Sequence, residues 1–413
     1  MSRSRADDAV RPPAREELFL SILIPTRERA ELLRDALDSV LAQTDGDFEV
    51  IVADNASTDD TVAVARGYGD ERIRITTSET SLGVTDNWNR ALDASCGKFV
   101  IMLGDDDALL PDYVARLRAL SLEYPNADVV YHGAWVHAAP GVDPSKPLGY
   151  IHTASSAEFL RDTRSPQILS RAMRLRMVDG ALDFRLRYGF NMQFVALRRS
   201  YIDSASADGS LFNSEFPDYF AMNAAFLTAD EVLAVPEDLV IIGVSRKSYG
   251  FYHLNKREAE GRAFLQGSDE SLPTVGNLAV MPGSYINGGW LSAMLALQER
   301  FGSTLPRLAN QRRYCWLQAI VTFRAVYWEN VGDCRDIEVV DTYLSVTQRW
   351  ACHAIFISGR IIGRILPSRI RRSVWGVTSN LMARQFPVWA PEMHDGFASM
   401  DSAIKWATGY ARR

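Results

Sequence analysis

The stretch GKFVIMLGDDDALLPDYV, residues 97–114, decides the fold. Its unbroken apolar run from Phe99 to Leu103 predicts a strand buried on both faces, because a strand with one wet face would alternate. Gly104 and three aspartates end the run. Pro111 then predicts the start of a helix, since the first helical position needs no backbone N–H.

Upstream, the same alternation repeats. LFLSILIP (18–25) reads as a buried strand, and Leu33, Ala36, Leu37, Val40 and Leu41 recur at helical spacing. FEVIVAD (48–54) and RIRITT (72–77) are further strands, each followed by a helical segment, Asp59–Arg66 and Asp86–Ser95. Downstream lies one more strand, ADVVYHG (127–133). Strands alternating with helices imply an α/β fold with a mostly parallel central sheet and helices on both faces. Such sheets bind ligands at the carboxyl ends of their strands. The loops 25–29, 54–58 and 104–108 are therefore the candidates.

Residues 140–215 are less regular. A helix is predicted over 217–228, a strand over 231–235 before Pro236, and another strand from Val240 running into a Ser- and Gly-containing loop. From about 286 the pattern is helical. The expected organisation is a disordered leader (1–16), an α/β domain (17–260) split into a donor-binding half (17–135) and an acceptor half (136–260), and a C-terminal helical domain (285–413).

The chain has 413 residues, and 45 basic against 51 acidic side chains give a net charge of −6, which argues against a general nucleic-acid binder. Cys96, Cys315, Cys334 and Cys352 form no CxxC pair and no zinc spacing, so free thiols are expected. The N-terminus shows no apolar signal region and no stretch of about 20 apolar residues occurs. The expected location is cytoplasmic.

No glycine stands in Pro25-Thr26-Arg27-Glu28, so neither a dinucleotide-binding turn nor the glycine-rich loop of a nucleotidylyltransferase is present. Asp54 and Asn55 end the second strand, where a carboxylate can accept from a base N–H or a ribose hydroxyl; an Asx turn explains them equally well. Asp105, Asp106 and Asp107 repel one another. Two like charges about 4 Å apart near a protein surface cost about 4 kcal/mol. A hard cation, Mg²⁺ or Mn²⁺, bridging substrate phosphates would relieve that cost. A helix cap would need one aspartate, not three.

Four segments in register, SILIPTRERAELLRDALDSVLAQ, VIVADNASTDDT, SLGVTDNWNRAL and GKFVIMLGDDDALLPDYV, resemble glycosyltransferase family 2, strongly over 18–135 and weakly over 180–255. The resemblance implies the GT-A fold and a metal-dependent, inverting transfer of a sugar from a UDP-, GDP- or dTDP-linked donor to a glycan or lipid-linked acceptor. It implies that Pro25, Thr26, Arg27 and Glu28 hold the nucleoside and that Asp54, with Asn55, meets the base. It puts Asp86 and Asn89 in the donor pocket, Asp105 on the ribose or sugar, and Asp107 as the foremost metal ligand, with Asp106 sharing the task. The family places an acidic pair at the start of a later helix. Here Pro217-Asp218 stands in that position, which makes Asp218 the candidate general base and Glu215 its reserve; alternatively Asp218 only complements the helix dipole. In VSRKSYGFYH (244–253), Arg246 and Lys247 are candidates for the diphosphate and His253 for a third metal ligand. Tyr188, Asn191 and Arg198 are weaker candidates for acceptor contact. A non-catalytic nucleotide-sugar or glycan-binding module on the same fold is the alternative.

Residues 342–391 contain seven arginines, several aromatic side chains and no Asp or Glu. A basic amphipathic helix can lie on an anionic membrane, giving a peripheral location on the inner face. The plainer reading, preferred on sequence grounds, is a helix packed on the catalytic domain with its arginines solvated.

Overall fold

The computed structural model describes residues 18–154, 158–161, 163–207, 209–255, 281–363, 382 and 392–411. The expected leader, most of the expected interdomain boundary and the arginines from Arg364 to Arg384 lie outside the described residues.

The chain runs β1 (Leu20–Thr26), α1 (Ala30–Leu41), β2 (Phe48–Asp54), α2 (Thr61–Gly67), β3 (Ile73–Thr77), α3 (Val84–Asp93), β4 (Phe99–Met102), β5 (Ala108–Leu109), α4 (Tyr113–Glu123) and β6 (Val129–Ala138). It continues through β7 (Tyr150–Thr153), α5 (Glu158–Arg161), β8 (Gln167–Ile168), α6 (Arg171–Leu182), a 3₁₀ turn (Met192–Phe194), β9 (Val195–Arg198), α7 (Arg199–Ser206), α8 (Pro217–Thr228), β10 (Val232–Val244) and α9 (Tyr249–Leu254). Then come α10 (Tyr285–Phe301), α11 (Gln311–Arg324) ending in a π turn (Ala325–Glu329), α12 (Cys334–Asp341), α13 (Val346–Gly363), β11 (Met393–Asp395) and α14 (Met400–Ala411).

One sheet takes the strand order β11-β7-β6-β9-β4-β1-β2-β3, with β10 beside β6. The β3-β2-β1-β4 part is parallel, as the alternation predicts, and β1, β2 and β4 are buried. Beyond β4 the sheet is mixed: β9 runs antiparallel to both β4 and β6, while β10 runs parallel to β6. The two short strands expected around Pro236 are one strand, β10, which absorbs Pro236 and Glu237 in register shifts. A proline in a sheet needs such an irregularity, because it has no N–H for the ladder.

The helical region does not keep a core of its own. Trp290, Leu291, Met294, Tyr314 and Phe323 belong to the same buried cluster as the β1 and β4 side chains. Trp290 donates to the Ala181 carbonyl at the end of α6 and packs 4.7 Å from Tyr219 of α8.

Candidate active site

Register assembles the site. Leu23 of β1 pairs with Met102 of β4, so three residues further on Thr26 faces Asp105. The Thr26 hydroxyl donates to Asp105 Oδ2 at 2.7 Å, and Thr26 itself pairs with Asp54 of β2. The three loops singled out by sequence thus meet at one end of the parallel strands.

The aspartates are not left to repel one another. Arg29 Nη1 lies 2.6 Å from Asp105 Oδ1 and 3.7 Å from Asp106 Oδ1. Asp107 accepts from Gly104 N (2.6 Å), Gln193 Nε2 (2.7 Å) and Gly243 N (2.8 Å). Asp106 Oδ2 accepts from the hydroxyls of Ser245 and Ser248. Asp105 and Asp107 are each 2% exposed, and Asp106 is the partly open member. Burial, with Asp106 next to it, pushes the Asp107 carboxyl up to about 7 against its three hydrogen bonds. Burial also raises Asp105, against the pull of Arg29.

Asp107 is buried with both oxygens accepting from the protein, while Asp106, although its own Oδ2 accepts from two hydroxyls, is the carboxylate more open to solvent and so to a cation. Among the described residues no three His, Cys, Asp or Glu side chains converge to hold an ion. The donor set is nonetheless hard oxygen, with three carboxylates set against one guanidinium. It fits a cation held by one or two carboxylates and completed by phosphate and water. His253 lies in α9, but its side chain is outside the described residues.

The loops after β1 and β2 are braced against each other. Glu28, with φ of 56°, accepts from Thr58 N and Thr58 Oγ1, and its own N–H donates to Ser57 Oγ. Asp54 accepts from Ser57 N through Oδ2, while its Oδ1 is buried without a hydrogen-bond partner among the described residues. An unpaired buried carboxylate oxygen is costly, and a ligand N–H or O–H would satisfy it. Pro25 and Arg27 flank Thr26 at the end of β1, half-buried. Asn55, by contrast, is structural: its amide ties β2 to Leu82 and Ser78.

Pro217 opens α8 and Asp218 stands in its first turn, as predicted. Asp218 Oδ1 accepts from Tyr219 N at 3.0 Å, and burial pushes its carboxyl up to about 7. The segment 188–193 joins this helix to the aspartate loop. Tyr188 donates to Asn223 of α8, Phe190 packs edge-on against Tyr219 at 4.7 Å, and Gln193 reaches Asp107. Glu215 lies in the loop just before the helix, partly buried.

Several candidates are placed elsewhere. Asn89 ties α3 to Phe212 by two hydrogen bonds instead of facing a ligand, and Asp86 lies in the first turn of α3. Arg246 lies against Gly141, whereas Lys247 stays beside the aspartate loop: its Nζ donates to the Glu28 carbonyl at 2.6 Å and its own carbonyl accepts from Arg29. Tyr188 is buried at 1% exposure, in the core. Arg198 caps the carbonyls of Pro125 and Ala127 and covers the Phe99 ring, at the opposite end of β4 from the aspartates. Asn191 sits at the start of the 3₁₀ turn, half-buried. Gln193, Gly243, Ser245 and Ser248 escape the sequence reading. The one faint signal for them is the strand from Val240 running into a Ser-rich loop.

The α/β sheet thus carries an acidic loop at the carboxyl ends of its parallel strands, and α8 carries a carboxylate, Asp218, in its first turn. The glycosyl transferase family 2 model matches residues 21–179 of this chain. A PGL/p-HBAD biosynthesis glycosyltransferase of Mycobacterium bovis is 40% identical over 117 residues, 27% of this chain and 45% of that protein. A GalNAc(5)-diNAcBac-PP-undecaprenol beta-1,3-glucosyltransferase of Campylobacter jejuni is 38% identical over 101 residues, 24% of this chain and 33% of that protein. The match thus spans less than half the length of either relative. The crystal structure of S. aureus TarS 1-349 in complex with UDP-GlcNAc superposes with a TM-score of 0.46 at 14% identity, over 84% of this chain and 92% of that one.

Proposed function

We propose that the chain is an inverting glycosyltransferase that moves a sugar from a nucleoside-diphosphate donor to an acceptor hydroxyl. The observation that supports this reading is an aspartate loop at the carboxyl ends of the parallel strands, tied through Gln193 and Tyr188 to α8, the helix whose first turn carries Asp218. Asp218, with its carboxyl near 7, is suited to take the acceptor proton as the acceptor oxygen bonds to the anomeric carbon. The bond from that carbon to the diphosphate oxygen breaks in the same displacement, and the nucleoside diphosphate leaves. No nucleophilic side chain is needed.

Asp54 Oδ1 and the Thr26–Glu28 loop suit the nucleoside. Asp106, backed by Asp107, would hold Mg²⁺ or Mn²⁺. Such an ion, when bound, neutralises the diphosphate leaving group. The name of the Campylobacter jejuni relative, which carries an undecaprenol diphosphate, supports a lipid-linked acceptor.

The test is a panel of UDP-, GDP- and dTDP-sugars, with and without Mn²⁺, read by thermal shift and by nucleotide release. One donor should raise the melting temperature chiefly with metal present, and nucleoside diphosphate should be released. Release of pyrophosphate or nucleoside monophosphate, or no stabilisation by any nucleotide, would overturn the reading.

A further inference from the structure

Helix α13 has two apolar faces. Cys352 and Phe356 form the inner one, both fully buried. Phe356 packs 4.4 Å from Trp328 of the π turn and 5.7 Å from Phe323 of α11, and its carbonyl accepts from the Trp328 indole at 2.9 Å. On this side the helix packs on α11 and the π turn, within the C-terminal helical region.

The opposite face is open to solvent. Val346, Trp350, Ala354, Ile357 and Ile361 follow at four- and three-residue steps, which align on one stripe. Val346 is 68% exposed, Trp350 72% and Ile361 59%, with Ile357 and Ala354 also exposed. A contiguous row of this kind differs from the scattered single apolar residues of any protein surface. The exposed Arg349 and Arg360 run along one border of the stripe. Asp341 of α12 is the acid facing that border, and it is engaged by His353 at 2.9 Å, while its carbonyl accepts from Arg349.

We infer that the outward face of α13 docks the protein on an anionic lipid surface, the helix lying in the plane of the interface. Three observations carry this. The stripe contains a tryptophan and branched aliphatic side chains bordered by arginine, the composition that partitions into the headgroup boundary. The surrounding sequence, 342–391, brings seven arginines and no acid in a chain whose net charge is −6. A second copy seated on the same face would bring Arg349 and Arg360 against their own like charges. No described helix is long and apolar enough to cross a membrane, so this contact is peripheral.

The test uses the full chain and vesicles of phosphatidylcholine with or without phosphatidylglycerol, read by co-sedimentation with no donor present. It therefore reports on docking whether or not the transferase reading stands. The protein should sediment with anionic vesicles, much less with neutral ones, and less at high salt. Removing one arginine, as in Arg349→Gln or Arg360→Gln, should weaken binding roughly fivefold. Trp350→Ser with Ile357→Ser should abolish binding while the melting temperature stays at the wild-type value, because both side chains face water. Absence of binding to anionic vesicles, equal binding to neutral ones, or binding unchanged in the double variant would overturn the inference. So would a wild-type dimer in sedimentation velocity that the double variant dissolves.

Discussion

Gly243 is where strand β10 touches the aspartate loop, and Gly243→Ala tests the site most directly. A Cβ at this position would stand 1.6 Å from the Asp106 carbonyl oxygen and 2.6 Å from its carbonyl carbon. Real Cβ contacts essentially never fall under 3.0 Å, so backbone must move on one side or the other. The same residue donates its N–H to Asp107, and that bond stretches with the movement. A misplacement of about 1 Å at a reacting centre costs on the order of 100-fold in rate. Overpacking of this size costs about 1–3 kcal/mol of stability. The expected variant is folded, melts several degrees lower, and turns over donor at roughly a hundredth of the wild-type kcat or less. Steady-state nucleotide release at saturating donor and metal, beside a thermal melt, gives both readings. A variant with wild-type kcat would refute the placement of the aspartate loop against β10.

Turnover should rise with pH through about 7 as Asp218 ionises, since a general base works only unprotonated, and Asp218→Asn should lose roughly 100-fold or more and flatten the profile. Asp106→Asn should raise the Mn²⁺ concentration needed for half-maximal activity by roughly tenfold or more, and by more than Asp107→Asn does; the opposite order would restore Asp107 as the foremost ligand. Gln193→Ala removes a donor from the Asp107 carboxylate and should lower kcat more than it changes the donor KM. Asp238, in the irregular part of β10, is raised to about 7 by burial alone. Its native carboxyl therefore keeps a proton that the unfolded chain releases near pH ~4, and its contribution to stability is lost as pH climbs from about 4 to about 7. Urea titrations of Asp238→Asn between pH ~5 and ~7 should show a pH slope shallower by up to about 1.4 kcal/mol per unit.

The parallel half of the sheet is legible in the sequence because its strands are continuously apolar and end abruptly in polar loops. Thr26, Asp54 and Asp105 fall together on sequence grounds alone, since parallel register sets strand ends side by side. Asp218 is legible because Pro217 fixes where α8 begins. The other wall of the site is not. Gln193, Gly243, Ser245 and Ser248 arrive through β9 and β10, whose pairing with β4 and β6 joins residues some hundred positions apart. No local period encodes such a pairing. Asn89, Arg198 and Tyr188 look like ligand contacts because a polar side chain satisfies a backbone carbonyl or a neighbouring amide as readily as a substrate, and sequence does not say which.

The position of α14 bears on how the protein is handled. Met400, at its first residue, lies 3.3 Å from where a Gly243 Cβ would stand, and His137 of β6 is hydrogen-bonded to the Phe397 carbonyl just before it. Residues 397–400 are thus wedged against the strand that carries Gly243, so a shift of α14 is passed through β10 to the aspartate loop.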